Sequence, residues 1–71
     1  MTKYTIYAKT PEQWGRGILK LLAECQDVQE VNELQDAHEN TFNAVRQSKP
    51  NITDYVELQF ANRRNTLAQK P

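Results

Sequence analysis

The chain has 71 residues, nine Lys/Arg against nine Asp/Glu, one histidine, one cysteine and no formal net charge. That length supports a single thin core. With only Cys25 and His38 on hand, an intrachain disulfide is excluded and a Cys/His zinc site is short of ligands.

The zero conceals segregation. Residues 1–23 hold four Lys/Arg and one acid, residues 24–39 hold six acids and no base, and residues 40–71 hold five Lys/Arg and two acids. Between Leu21 and Val45 there is no Lys or Arg, and the carboxylates recur at Glu24, Asp27, Glu30, Glu33, Asp36 and Glu39, every third position. Such patterning points to electrostatic recognition.

Residues 2–8 alternate, with Tyr4, Ile6 and Ala8 on one parity, and predict a strand. Thr10-Pro11-Glu12-Gln13 then predicts a helix start: Thr10 caps, Pro11 fits the first position, and Gln13 completes a capping box. The helix is expected to run to about Gln26, with Trp14, Ile18, Leu21, Leu22 and Cys25 inward. Gly15 and Gly17 in its first turns suggest close packing against a neighbouring element.

Val28, Val31 and Leu34 recur every three residues, which suits neither period cleanly. A strand over residues 28–34 is the economical reading, because it pairs with the first strand through a βαβ crossover. A helical reading would leave a βαααβ order with only two strands paired. Asp36-Ala37-His38-Glu39 predicts a second capped helix to about Ser48, with Ala37, Thr41, Phe42 and Val45 inward, ended by Pro50. Residues 54–61 alternate again, with Val56, Leu58 and Phe60 on one face, and predict a final strand. Residues 62–71 are basic and polar around Leu67 and read as a flexible C-terminal tail.

The expected fold is therefore α/β: a single domain over residues 1–61, β-α-β-α-β, with a three-stranded sheet and two helices in two layers. A short strand leading into a Pro-capped helix resembles, in element order, the first part of a thioredoxin or glutaredoxin domain. That family's redox chemistry needs a Cys-x-x-Cys at the helix start. Here the turn is Thr10-Pro11-Glu12-Gln13-Trp14, and Cys25 lies near the far end of the helix. The resemblance extends to topology alone and argues against a thiol redox enzyme.

No glycine-rich phosphate loop, His-Glu-x-x-His or EF-hand spacing is present, so neither an enzyme nor a cofactor or metal site is expected. The longest apolar run, Leu21-Leu22-Ala23, is too short for a signal peptide or a membrane span. The cytoplasm is the expected location, with no membrane partner.

Two binding roles follow. The first is a protein-interaction or inhibitor module that offers Glu24, Asp27, Glu30 and Glu33 to a basic protein partner, with Tyr7 and Tyr55 as aromatic anchors. The second is nucleic-acid binding through Arg46, Lys49, Arg63 and Arg64. A homodimer made by pairing open sheet edges is compatible with either.

Overall fold

The computed structural model describes Ile6 and residues 8–69, and these fold as four helices: α1 (Pro11–Ala23), α2 (Val28–Ala37), α3 (Glu39–Ser48) and α4 (Pro50–Ala68). Among the described residues there is no strand, so the expected three-stranded α/β sheet and its thioredoxin-like element order are replaced by an all-helical arrangement. The strand expected over residues 2–8 lies almost wholly outside the described residues. The other two expected strands are α2 and the middle of α4. A homodimer built on sheet edges loses its physical basis here, since the described chain presents no such edge.

α1 begins as its sequence dictates. Thr10 is extended, its Oγ1 accepts from the Gln13 amide at 3.2 Å, and Pro11 opens the helix. Gln13 reaches back one residue further than a capping box requires, its Oε1 accepting from the Lys9 amide at 2.9 Å. The helix stops at Ala23 rather than Gln26, and Glu24 caps it by donating its amide to the Leu21 carbonyl at 3.1 Å.

α2 owes its start to the acids. Asp27 Oδ1 accepts from the Glu30 amide, and Glu30 Oε1 accepts from the Gln26 amide, each at 2.8 Å. Asp27 thus caps α2, while Glu30, like Gln13 in α1, reaches past the cap residue to the amide before it. The capping box expected at Asp36 and Glu39 does not form: Asp36 lies inside α2, and His38 alone separates α2 from α3.

Pro50 closes off α3, which ends at Ser48 as expected. It opens α4, where its missing N–H removes no helical bond. Lys49 before it lies outside the helical region (φ −141°, ψ 71°), in line with the bias proline places on the residue preceding it, and this breaks α3 from α4. Thr53, fully buried, donates its hydroxyl to the Pro50 carbonyl at 3.0 Å.

α4 is the central element, in contact with α1, α2 and α3. Its inward stripe is Thr53, Val56, Phe60 and Leu67, at spacings of three, four and seven. Residues 62–68, expected as a flexible tail, therefore continue this helix, and Leu67 is buried. An aromatic relay ties three helices together: Trp14 meets Phe42 edge-on at 5.0 Å, and Phe42 meets Phe60 edge-on at 5.6 Å. Edge-to-face pairs of this kind contribute about 0.5–1.5 kcal/mol beyond the area they bury. Ile18, Leu22, Cys25, Val31, Leu34 and Val45 complete the core. Leu58, expected in the core, is 56 % exposed instead, and Ala37 is exposed as well.

Candidate interaction surface

Successive acids three residues apart on a helix rotate by about 60° and rise by about 4.5 Å, so they spiral around it instead of lining one face. With Val31 and Leu34 directed into the core, Glu33 and Asp36 fall on the solvent side of α2 and Glu30 on its flank, half-buried. Glu24 closes α1, Asp27 opens α2 and Glu39 opens α3, all three exposed. The acids thus mark out one helix and the turns at its two ends. Asp27 and Glu30 have a structural duty as well, accepting the backbone amides that start α2.

The residues proposed as a nucleic-acid interface are dispersed. Arg63 donates to the carbonyl oxygens of Cys25 at 2.8 Å and Ala23 at 3.3 Å, sealing the C-terminal end of α1. Arg64 turns the other way. It donates to Asn32 Oδ1 at 2.9 Å and to Gln35 Oε1, and its guanidinium lies 5.9 Å from the Phe60 ring centroid. Arg46 bridges α3 to α4 through Glu57 at 2.6 Å and also donates to Asn43. Lys49 sits exposed between α3 and α4. Three of the four cations are thus engaged in holding helices together.

Tyr7 lies outside the described residues. Tyr55 is 58 % exposed and stands on the flank of α4 that faces α1. There it shares two adjoining hollows with Leu19, each about 310 Å³, one reaching to Ile52 and Gly15 and the other to Leu22 and Arg63. At 100° per residue, Tyr55 and Arg64 occupy opposite flanks of α4. Since Arg64 is the residue that reaches α2, the aromatic anchor and the acidic helix are not side by side.

Leu58, one turn from Tyr55 on the exposed side of α4, was missed as a surface residue because its period-two alternation with Val56 and Phe60 suggested a strand. Its departure from the stripe Thr53, Val56, Phe60, Leu67 was the available signal. Among the described residues no group of three His, Cys, Asp or Glu side chains is placed to hold a metal ion. No described helix is long and apolar enough to cross a membrane. Comparison with protein-family models, curated proteins and solved structures yields no match to this chain.

Proposed function

We propose that the protein is a non-enzymatic interaction module whose docking face is α2 and the turn that precedes it. The observation that carries this reading is the arrangement of charge around that helix. Glu24, Asp27, Glu33 and Asp36 are exposed, no Lys or Arg occurs in sequence from Leu21 to Val45, and the two arginines that approach from α4 direct donors to backbone carbonyls and side-chain amides. A basic protein surface is the complementary partner.

The unbroken negative charge of this segment suits a partner that itself binds nucleic acid. A helix charged in this way competes for a phosphate-binding groove, which makes the module an inhibitor of such a partner. A reducing cytoplasmic setting belongs to the same reading and accords with Cys25, a buried thiol that donates to the Leu21 carbonyl.

The test is an affinity capture from nuclease-treated native lysate with the wild-type protein and with a Glu33→Lys/Asp36→Lys variant. Both substituted positions are exposed on α2, away from Asp27 and Glu30 at its start, so the fold is expected to survive and circular dichroism verifies it. A basic protein retained by the wild type and lost from the variant supports the reading. Equal retention by both removes it.

A further inference from the structure

Tyr55 and Leu58 are the exposed large hydrophobic side chains among the described residues, and both stand on α4. At 100° per residue they lie about 60° apart, with Asn62 between them and Gln59 and Thr66 sloping from Tyr55 toward α1. This strip holds no carboxylate and no ammonium. Its one cation, Arg63, is turned to the carbonyls of Cys25 and Ala23. In a chain of which 25 % is charged, a charge-free strip around an exposed tyrosine and leucine has the composition of an interface core.

The borders of the strip carry opposite charges. α1 and α4 run side by side in the same direction, since Gly15 faces Ile52 and Val56 while Arg63 reaches Ala23 near the end of α1. Arg16 and Asp54 therefore stand within about one residue's rise, 1.5 Å, of the same height. Arg16 lies on the outer side of α1 beyond Leu19, and Asp54 on the outer side of α4 beside Leu58. Both are exposed, and neither has an ion-pair partner among the described residues. The hollow shared by Leu19 and Tyr55 lies between them.

We propose that this face pairs with a second copy of the chain about a two-fold axis running along the groove between α1 and α4. Such an axis lays α1 of each copy over α4 of the other, because an isologous interface sets each patch against its own counterpart. Each Arg16 then meets Asp54 of the partner subunit, and the two Tyr55 side chains approach each other at the axis. Glu12 and Lys20, about one turn to either side of Arg16, meet the uncharged surroundings of Asn51 and Gln59. The match in sign and height between the two borders is what selects a second copy as the occupant.

The surface is large enough. A specific interface needs at least about 1,000 Å² in total, and half of that is about a tenth of the 5033 Å² that one chain exposes. Pairing at this lower limit is weak, with dissociation expected in the micromolar range, so dilute protein reports the stability of the single chain. α2 stays uncovered, because Arg64, which reaches it, is on the flank of α4 opposite Tyr55. Self-pairing and the acidic docking face therefore stand or fall separately.

Sedimentation equilibrium of the 71-residue chain at low salt, from about 1 to 500 μM, is expected to show a concentration-dependent monomer–dimer equilibrium. Arg16→Asp and Asp54→Arg, each with circular dichroism unchanged, are expected to weaken it at least about tenfold, since each variant sets like charges against each other twice. An equimolar mixture of the two variants is expected to regain the dimer, because opposite charges then face each other at both contacts. A monomer at every concentration, a dimer indifferent to both reversals, or a mixture that associates no better than its components overturns the proposal.

Discussion

Arg63 on α4 donates to the carbonyl oxygen of Cys25 at 2.8 Å across 38 positions of sequence, and the same terminal nitrogen reaches Ala23 at 3.3 Å. The last carbonyls of a helix lack internal donors and carry its negative dipole end, so a cation there answers both needs. The contact also fixes the turn from which Asp27 and Glu30 start α2.

Arg63→Ala is therefore expected to lower the unfolding free energy by about 1–2 kcal/mol, the range for hydrogen bonds to a charged group discounted for partial exposure. Arg63→Lys should recover only part of this, because a flexible ammonium is not held against both carbonyls by a planar guanidinium. Urea denaturation without any nucleic acid present measures it. A loss of stability under those conditions marks Arg63 as a structural residue independent of any ligand.

Asp27 has two separable roles, cap and charge. Asp27→Ala removes the acceptor for the Glu30 amide and should destabilise the protein by about 1 kcal/mol. Asp27→Asn retains the acceptor and should stay within about 0.5 kcal/mol of wild type. Binding to a basic partner should fall for both variants if Asp27 belongs to the docking face. A stable Asn variant with full partner binding would confine Asp27 to capping.

That same stretch shows what the sequence could and could not reveal. Thr10-Pro11-Gln13 was legible because its three signals are local and agree, and Trp14, Ile18 and Leu22 follow at helical spacing. The acids at every third position write two capping boxes, Asp27/Glu30 and Asp36/Glu39, and nothing local decides between them. Packing decides: a helix starting at Asp27 puts Val31 and Leu34 into the core beside α4. The last expected strand failed for a different reason. Val56, Leu58 and Phe60 fit a period of two over a short window, while Thr53, Val56, Phe60 and Leu67 fit a period of 3.6 over fifteen residues. Only a window long enough to include Leu67 separates the two, and the tail expected over residues 62–71 leaves that residue out. The internal use of Arg63 and Arg64 was not legible at all, since their acceptors lie 29 to 40 positions away.

The two periods make opposite claims about Leu58. In a strand it shares the buried face with Val56 and Phe60, whereas in α4 it faces solvent. Leu58→Lys is expected to change stability by less than about 0.5 kcal/mol, as surface substitutions do. Phe60→Leu, which removes the far partner of the Phe42 edge contact, should cost more than about 1 kcal/mol. Chemical denaturation of the two variants distinguishes the helix from the strand without a new structure.

Arg46 and Glu57 form a close ion pair, but both side chains are more than two-fifths exposed. Screening by water and salt limits such pairs to about 0–1 kcal/mol. Arg46→Gln should accordingly shift the urea midpoint only slightly, and less still at high salt. A large loss would mean that Arg46 holds α3 to α4 by packing of its aliphatic stem rather than by charge.

Gly15 tests how closely α1 approaches α4. A Cβ placed there would stand 3.2 Å from Ile52 Cγ2 and 3.9 Å from Val56 Cγ2, tight against a half-buried neighbour and in ordinary contact with a buried one. Alanine gains about 0.8–1 kcal/mol of helix propensity over glycine, which offsets a displacement of Ile52 by a few tenths of an ångström. Gly15→Ala is thus expected to leave the thermal midpoint unchanged or a few degrees higher. Gly15→Val adds two branches where one carbon is already tight, and overpacking of that kind costs about 1–3 kcal/mol. Thermal denaturation followed by circular dichroism reads both. A valine variant as stable as wild type would place the helices farther apart at this point, and the hollow between Gly15, Ile52 and Tyr55 would then have a different shape.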